Sequence, residues 1–455
     1  MSFVSLNPAT GKILSTYPEM DLKGAREDLK KSHEAFRLWR TSPFQIRAAC
    51  MKKAAEKLTA EKHALGELMT QEMGKPILQA YAEIEKCAWL CEYFAEKAEI
   101  FLQPELVETD AHKSYIAYEP LGVILAIMPW NFPFWQVFRA AIPALMAGNA
   151  MVLKHASNVS GCALAIEKIF KESGLPEELF QTLLVTSTTA LSLIESPHVQ
   201  GVTLTGSLGA GKSVGAQAGK FIKKCVLELG GSDPYVILED ADIEEAASIC
   251  AKSRLLNSGQ SCISAKRFII VENQFEKFEE LFLGEMKKAV LGNPFDEKKT
   301  VGPLARIDLR DILHKQVLES MDLGAKCLLG GYIPEGPGSF YPPTLLTRIQ
   351  KGMPAYEEEL FGPVAALIIA QNEPEALQIA NDSGYGLGAA VFTQNKQKGE
   401  EIALKGLEAG SCFVNAFVKS DPRLPFGGIK ESGFGRELSC HGIREFVNCK
   451  AVYIM

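Results

Sequence analysis

One cysteine of this 455-residue chain lies in a segment suited to presenting a reactive side chain. Residues 257–262 read Asn-Ser-Gly-Gln-Ser-Cys and separate a helical pattern at 243–256 from a strand-like run at 268–271. Asn, Gly and Ser favour turns, so we predict a bend that presents Cys262. A thiol placed there can act as a nucleophile if an activating base, an oxyanion donor and an electron acceptor lie nearby. The alternative is that Cys262, like most free cysteines, is a small buried hydrophobe.

Two polar residues at the ends of buried strand patterns are candidates for the supporting roles. Asn131 lies in the segment Pro-Trp-Asn-Phe-Pro at 129–133, and its carboxamide can donate to a developing oxyanion. Glu228 lies within an apolar strand end, just before Gly230 and Gly231. Burial disfavours a charged carboxylate, so its pKa is expected to rise toward the range of a general base. The alternatives are an Asn that satisfies a turn and a Glu that is ion-paired.

A glycine-rich segment at 206–213 has two interpretations. It matches the phosphate-loop pattern GxxxxGK[ST], follows a strand pattern and opens a helix, so a nucleotide hydrolase is a competing hypothesis. Its position in mid-chain and the short spacing to the acidic strand at 235–240 weaken that hypothesis. A glycine-rich turn at a helix N-terminus, with Gly206 and Gly211, can instead hold a dinucleotide pyrophosphate without a metal.

The segment Lys-His-Ala-Ser at 154–157 follows another strand pattern and suits contact with a ribose or a phosphate. An acidic residue there would repel a 2′-phosphate, whereas the small hydroxyl of Ser157 beside Lys154 would accept one. A solvated loop is the alternative. The 7 histidines are dispersed, and the sequence has no HExxH and no paired CxxC, so we predict no metal site.

The elements that position these residues fall into two patterns. The first hundred residues show helical spacing at 21–39, 44–69 and 79–101, and their Glu and Lys residues are expected to form a solvated face. From residue 122 onward, strands alternate with helices, which predicts a doubly wound parallel sheet. Ligands bind such sheets beyond the carboxyl ends of the strands, where Asn131, Lys154, Gly206 and Glu228 are placed.

Composition bounds the class of protein. A chain of this length predicts two or three domains, and a net charge of −7 argues against a general nucleic-acid surface. The 11 scattered cysteines fit free thiols in a reducing compartment, so we expect a cytoplasmic protein. The N-terminus lacks a signal-peptide pattern. The apolar stretch 121–153 contains no run of the ~18 apolar residues that a spanning helix needs, so no membrane association is expected.

Taken together, these segments resemble the aldehyde dehydrogenase superfamily, in the family's order and over almost the whole chain. Within it, the short length and residues 130–139 and 419–423 are similar to bacterial short-form succinate-semialdehyde dehydrogenases. The matching segments are residues 129–133, 154–157, 204–211, 227–231, 257–262, 359–364 and 425–428 with 432–433.

The resemblance implies an aldehyde-dehydrogenase-like α/β fold in three parts. Residues 1–105 and 121–228 would form a Rossmann-type cofactor domain, and residues 229–418 an α/β catalytic domain. Residues 106–120 and 419–455 would form a small β oligomerisation arm and the C-terminal segment. Because this arm crosses to a neighbouring subunit in the family, a homodimer or a dimer of dimers is implied.

The resemblance also assigns catalytic roles and a cofactor. Cys262 would be the nucleophile, Glu228 the activator of the deacylating water, and the Asn131 side chain an oxyanion donor. The cofactor would be NADP, because relatives with Glu at the Ser157 position favour NAD; NAD is the alternative. The implied cofactor-binding residues are Trp130, Lys154, Ser157, Gly206, Ser207, Gly211, Leu229, Glu359 and Phe361.

The implied substrate is a small aldehyde, with succinate semialdehyde favoured over another semialdehyde or an uncharged aldehyde. Arg139 matches an arginine that pairs with the remote carboxylate in semialdehyde enzymes, and a guanidinium fork suits that task. A structural salt bridge is the alternative for Arg139. Ser420 would add a hydrogen bond, and Trp135 would line the channel. Ser264 stands where some relatives have a second cysteine, so no redox disulfide is expected.

Overall fold

The computed structural model describes residues 2–455 and has the predicted α/β architecture. The N-terminal hundred residues form a two-stranded antiparallel hairpin and a layer of helices. The single helical pattern expected at 44–69 is two helices, because the backbone leaves helical geometry at Glu61. The elements of this layer are β1 (Ser2–Leu6), β2 (Ile13–Pro18), α1 (Leu22–Trp39), α2 (Phe44–Ala60), α3 (Lys62–Met73) and α4 (Ile77–Phe101).

The next part of the chain alternates strands and helices, as predicted. Its elements are β3 (Glu105–Leu106), β4 (Lys113–Pro120), β5 (Val123–Met128), α5 (Trp135–Ala147), β6 (Ala150–His155), α6 (Ser160–Glu172), β7 (Phe180–Thr182), α7 (Ser187–Leu193), β8 (Val199–Thr205), α8 (Leu208–Lys220) and β9 (Lys224–Glu228). Strands β9, β8, β5, β6 and β7 are parallel neighbours in that order. Their carboxyl ends therefore lie along one edge of the sheet.

A second α/β unit follows. Its elements are β10 (Pro234–Ile237), α9 (Ile243–Leu255), β11 (Arg267–Val271), α10 (Glu272–Lys287), α11 (Ile307–Asp322), β12 (Lys326–Leu329), β13 (Thr344–Thr347), α12 (Pro354–Glu357), β14 (Val364–Ala370), α13 (Glu373–Asn381), β15 (Tyr385–Gly386), β16 (Gly388–Phe392), α14 (Lys396–Glu401) and β17 (Ser411–Val414). The sheet order is β12-β13-β14-β11-β10-β16-β17. Ala366 and Leu367 of β14 belong to two different cores, because successive side chains point to opposite faces.

The C-terminal segment contributes to more than one sheet. Its elements are β18 (Ile429–Lys430), β19 (Gly433–Phe434), α15 (Ser439–Ile443) and β20 (Val447–Ile454). Strand β20 pairs with β4, and β4 with β3, in an antiparallel arm. Within the same C-terminal segment, β19 pairs with β9 at the edge of the six-stranded sheet. Gly433 pairs with Glu228, so the C-terminal segment passes the carboxyl end of β9.

The apolar stretch 121–153 is the strand–helix–strand unit β5, α5 and β6, buried almost throughout. Within residues 2–455, no helix is long and apolar enough to cross a membrane.

Buried carboxylates of the helical layer tie it to helices α5 and α6 beside the six-stranded sheet. Glu83 on α4 accepts bonds from the backbone N–H groups of Phe134 and Trp135 at the start of α5, each at 2.9 Å. Its other oxygen forms an ion pair with Lys75, and both side chains are fully or almost fully buried. Glu72 on α3 likewise accepts from the first residues of α6. The expected solvated face is therefore wrong for these residues, which satisfy the unpaired N–H groups of helix starts.

His155, at the end of β6, joins the carboxyl ends of two strands. Its Nδ1 lies 3.2 Å from the carbonyl oxygen of Met128, the last residue of β5, and its Nε2 lies 2.9 Å from the carbonyl oxygen of Pro133. Nδ1 also accepts from the backbone N–H of Ala156 at 2.9 Å. The two shorter contacts fit a neutral ring that donates at Nε2 and accepts at Nδ1. Burial lowers the pKa of His155 to about 4, because the cation would lose its hydration.

We predict that Glu83→Ala destabilises the protein by about 3–5 kcal/mol, because Lys75 is left as a buried charge without its partner. The measurement is the midpoint of thermal unfolding. The matched control is Glu85→Ala on the same helix, which removes an exposed pair with Lys62 and should cost less than about 1 kcal/mol. Equal losses in the two variants would contradict the role of the buried pair.

We predict an acid-sensitive contribution from His155. Because its folded pKa of about 4 lies below the ordinary 6.5, its contribution is complete above pH 6.5 and is lost as the pH falls toward 4. Between pH 7.5 and 5 this loss amounts to about 2 kcal/mol. His155→Gln keeps hydrogen-bonding groups but does not titrate, so urea midpoints of wild type and variant should converge or cross on acidification. A difference that stays constant with pH would refute this.

Candidate active site

The loop before Cys262 has an unusual backbone. Asn257, Ser258 and Gly259 follow one another with φ angles of 53°, 55° and 75°. Left-handed geometry is costly for the two non-glycine residues and persists where surrounding contacts determine it. Glycine is required at the third position, since an added Cβ would lie 2.2 Å from the carbonyl oxygen of Gly362. The predicted bend is thus a tight, buried turn.

Two buried cations hold this turn through backbone carbonyl groups. Arg254 donates to the carbonyl of Ala265 at 2.8 Å and also to that of Gly259. Lys266 Nζ donates to the carbonyl groups of Ser261 and Cys262 at 2.8 and 2.6 Å. Both cationic side chains are fully buried. Fixing the carbonyl groups on either side of the cysteine fixes the direction in which its side chain leaves the backbone.

Cys262 is half-buried and lies where two cavities meet. One cavity has a volume of about 190 Å³ and lies on the side of α4 and α5. The other has a volume of about 350 Å³ and lies at the carboxyl ends of β5 and β8. Among the residues that the structure describes, Cys262 alone lines both. Burial raises the pKa of its thiol to about 12, while Arg139 and Lys266 act in the opposite direction.

Asn131 lies beside this turn, where the sequence predicts an oxyanion donor. Its Nδ2 donates to the backbone carbonyl of Gln260 at 3.2 Å, and the backbone carbonyl of Asn131 accepts from Asn257 Nδ2 at 2.7 Å. A carboxamide nitrogen carries two N–H groups, so one of them remains available. Asn131 is buried and lines the larger cavity together with Cys262.

Glu228 ends β9 and is buried, outside the lining of both cavities. Neither carboxyl oxygen has a hydrogen-bond partner among residues 2–455, and Oε1 faces Gly427. Burial, and then the nearby Glu437, raise the pKa of Glu228 well above its ordinary value, while Arg139 opposes the shift. The upward direction expected from the sequence is thus found. A carboxyl group whose pKa is raised holds its proton more tightly and is a stronger proton acceptor once it is ionised.

The larger cavity brings together most of the residues predicted to bind a cofactor. Trp130 packs edge-on against Phe361, with ring centroids 5.7 Å apart. Glu359 accepts from the backbone N–H of Gly231 at 3.0 Å and lies 3.5 Å from Lys266 Nζ. The predicted residues that line this cavity are Trp130, Gly206, Ser207, Leu229, Glu359 and Phe361.

Three predicted cofactor residues lie outside that lining. Lys154 and Ser157 are at the end of β6, where Lys154 is half-buried and Ser157 is exposed. Gly211 lies inside α8, and an added Cβ would be 2.5 Å from the side chain of Leu229. Its glycine therefore permits α8 to pack against Leu229, rather than forming the cavity wall.

The phosphate-loop hypothesis is wrong. Helix α8 already begins at Leu208, with the Ser207 hydroxyl accepting from the N–H of Ala210, so residues 206–213 do not form a loop around a phosphate. Lys212 is exposed on the helix and pairs with Glu431. Within residues 2–455, no cluster of three or more His, Cys, Asp or Glu side chains is arranged to hold a metal ion.

The smaller cavity contains the residues predicted to contact a substrate. Trp135 Nε1 donates to Ser420 Oγ at 3.0 Å, and both residues line the wall. Arg139 also lines it, but its guanidinium forms an ion pair with Glu437 and donates to Thr205 Oγ1 at 3.3 Å. The structure thus places Arg139 in the salt bridge that the sequence left as its alternative, at the edge of the same cavity.

Two residues of this site were missed from the sequence. Lys86 of α4 projects into the smaller cavity, and Glu437 pairs with Arg139 from the C-terminal segment. Helical spacing contains a signal for Lys86, since it follows the buried Glu83 by three residues. The sequence has no comparable signal for Glu437.

Comparisons with known proteins identify the family of this chain. The model of the aldehyde dehydrogenase family matches residues 1–452. The chain is 48% identical, over all of both chains, to a probable succinate-semialdehyde dehydrogenase [NADP(+)] of Synechocystis sp.. It is 44% identical to the succinate semialdehyde dehydrogenase [NAD(P)+] Sad of Escherichia coli, covering 99% of this chain and 97% of the relative.

A solved structure of succinic semialdehyde dehydrogenase from Streptococcus pyogenes, in complex with NADP+, superposes with a TM-score of 0.97. It is 37% identical in sequence, with 99% of both chains covered. The predicted fold class is confirmed, and so is the resemblance that the ordered motifs indicated. On the family match and these identities, the chain belongs to the aldehyde dehydrogenase family.

Proposed function

We propose that this protein oxidises succinate semialdehyde to succinate, with NADP as the favoured cofactor, through a thioester on Cys262. The observation that carries the proposal is that Cys262 alone borders both cavities among residues 2–455. A sulfur atom in that position can bind an aldehyde carbon from one cavity while facing an electron acceptor in the other.

The larger cavity fits the nicotinamide end of a dinucleotide. It opens at the N-terminus of the 13-residue helix α8, where unpaired N–H groups favour phosphate. The Glu359 carboxylate offers acceptors for ribose hydroxyl groups. Glycines at 206 and 230 leave the wall without side chains, so a ligand can approach the backbone closely. The bound nicotinamide supplies a two-electron acceptor.

The residues of the chain then perform the remaining chemistry. The Cys262 thiolate adds to the aldehyde carbon, and the free N–H of Asn131 stabilises the oxyanion that forms. Loss of hydride is favourable from this adduct and unfavourable from the aldehyde itself. A thioester with Cys262 remains once that carbon is oxidised. Burial raises the pKa of the Cys262 thiol, whereas the nearby Arg139 and Lys266 charges favour the thiolate that starts the reaction.

Glu228 is the base proposed for hydrolysis of the thioester. It takes a proton from water as the water oxygen bonds to the thioester carbon; the C–S bond then breaks, Cys262 leaves as the thiolate, and succinate is released. The step requires ionised Glu228, and its raised pKa makes the ionised form an effective acceptor. Its carboxyl has no bonding partner in residues 2–455 to hold it in its present direction. It can therefore turn toward Cys262 without breaking a hydrogen bond.

The relatives support the substrate and the cofactor. The curated relatives from Synechocystis and Mycobacterium leprae are described as succinate-semialdehyde dehydrogenases using NADP(+). The Escherichia coli relative is described with NAD(P)+, so NAD is the second candidate. Another semialdehyde or an uncharged aldehyde is the alternative substrate. A steady-state panel of aldehydes against both cofactors separates these cases.

The arm formed by β3, β4 and β20 supports a homodimer or a dimer of dimers. Its outer strands carry exposed apolar side chains at Leu106, Tyr453 and Ile454, which a second copy would cover.

We also propose that residues 1–105 with 121–228 bind the cofactor and that 229–418 supply the nucleophile. None of the 11 cysteines is in a disulfide within residues 2–455, in keeping with a cytoplasmic location.

We predict that Cys262→Ala lowers aldehyde oxidation by about 10⁴-fold or more, since no covalent adduct can form. Binding of NADP, followed by fluorescence, should persist. The control Cys412→Ala removes a half-buried thiol of β17 and should leave turnover near wild type. Intact-mass spectra of wild type quenched in turnover should show an acyl group on Cys262. Retained oxidation in Cys262→Ala would reject the assignment.

We predict that Ser157→Glu raises the KM for NADP about tenfold or more, because its carboxylate repels the 2′-phosphate. The KM for NAD should change by less than about threefold, since NAD lacks that group. Ser157→Gln, of the same size but uncharged, is the control and should affect NADP much less. If the Gln variant matches the Glu variant, size and not charge is responsible.

A further inference from the structure

Lys86 is a cation at the wall of the smaller cavity that no step above uses. It lies on α4, half-buried, with its Nζ 4.0 Å from the ring centroid of Trp135. The same Nζ donates to Ser420 Oγ at 2.8 Å. Cys262 lines this cavity as well. A positive charge and the nucleophile therefore line the same cavity.

The carboxylates near Lys86 are already engaged. Glu83 on the same helix bonds Lys75 and the first N–H groups of α5. Asp421 accepts from both Nε and Nη2 of Arg423, at 2.8 and 2.7 Å. Within residues 2–455, no carboxylate oxygen lies within 4 Å of Lys86 Nζ. Two of the three ammonium N–H groups are thus free for a ligand, since Lys86 has one bond to Ser420.

The hydroxyl of Ser420 reinforces this anion preference. Its oxygen accepts from Lys86 Nζ and from Trp135 Nε1, which uses both acceptor positions of a hydroxyl. Ser420 therefore has only its O–H left to offer. A ligand that reaches this end of the cavity meets an ammonium group and a hydroxyl donor, a combination that fits a carboxylate.

Arg139 is less suited to the same task. Its guanidinium is 2% exposed, paired with Glu437, bonded to Thr205 and stacked 4.3 Å from the ring centroid of Phe426. An incoming carboxylate would have to share its charge with Glu437. Removal of Arg139 would also leave Glu437 as a buried carboxylate without its partner.

We propose that Lys86, with the Ser420 hydroxyl, binds the remote carboxylate of the substrate, while Arg139 holds Glu437 and shapes the site. This inference rests on the proposed function and names the residue that determines its preference for a charged aldehyde. The rest of the cavity, with Phe132, Trp135 and Ile263 in its wall, surrounds the carbon chain.

The test compares succinate semialdehyde with butanal, an uncharged aldehyde of the same carbon number. Lys86→Met should raise the KM for succinate semialdehyde about tenfold to a hundredfold, as expected for loss of charge-assisted hydrogen bonds. The KM for butanal should change by less than about threefold, and kcat for both should change little. Lys86→Arg keeps the charge and should restore most of the preference.

Two further variants separate this role from general effects. Lys419→Met removes an exposed charge from the rim of the same cavity, so it should reduce the preference less than about twofold. Arg139→Met should reduce kcat/KM for both aldehydes in parallel and lower the thermal midpoint. A selective loss for succinate semialdehyde in Arg139→Met, with an unchanged preference in Lys86→Met, would overturn the proposal.

A pH profile gives an independent readout. Burial, and then the Arg139 charge, lower the pKa of Lys86 to about 8, while Cys87, Glu83 and Asp421 act in the opposite direction. As the pH rises through 8, Lys86 of the free protein loses its charge and binds a carboxylate less well. The ratio of kcat/KM for succinate semialdehyde to that for butanal should therefore fall between pH 7 and 9.5. The ratio should stay level in Lys86→Arg, and a fall of equal size there would count against Lys86.

Failure of the substrate assignment is distinguishable from failure of this inference. If wild type does not prefer succinate semialdehyde, the proposed substrate is wrong. The anion site is then tested by measuring how strongly succinate inhibits butanal oxidation in competition with butanal. Inhibition that weakens about tenfold or more in Lys86→Met, but not in Lys419→Met, supports the site. Inhibition of equal strength in wild type and Lys86→Met rejects it.

Discussion

The hydrogen bonds from two buried cations to backbone carbonyl groups determine the geometry of the nucleophile. Arg254 and Lys266 carry full side chains into the interior, where a charge loses its hydration. Hydrogen bonds to the backbone carbonyl groups around the left-handed turn at 257–259 replace the lost bonds to water. A turn made of three successive left-handed residues has no regular ladder of its own. These cations supply the bonds that a helix or strand would otherwise provide, and the position of the sulfur depends on them.

Near the sulfur, the charge of one guanidinium, that of Arg139, acts on two buried carboxyl groups. Arg139 makes its ion pair with Glu437, and Glu228 is left without a hydrogen-bond partner among the described residues. Burial raises the pKa of both carboxyl groups, and Glu437 further raises that of Glu228. Glu437 is thus an ion-paired carboxyl group and Glu228 an unpaired one, although both are buried in the same region. The distinction follows from geometry, since the residue types are identical.

Local patterns were enough to predict the α/β architecture and most of the strands. The strand at 199–205 has the predicted bounds, because an apolar run between turns leaves little choice of conformation. The position of Cys262 after a bend followed from turn-forming residues in the same way. The phosphate-loop match failed because Gly206 and Lys212 satisfy a pattern of letters, whereas the helix begins between them at Leu208. Buried ionic residues were the main omission. Helical periodicity places Lys86 on a face, but it does not say whether that face meets water or a cavity, and Glu437 reaches Arg139 only through tertiary folding.

The position of Cys262 between the two cavities has a consequence for the order of events. Because the cavities share no other residue among those described, a molecule filling one leaves the other open. The aldehyde and the oxidant can thus be held at once, on opposite sides of a single atom, and neither has to vacate its position for its companion. Such an arrangement favours a ternary complex over a ping-pong order, in which one reactant departs before the next arrives.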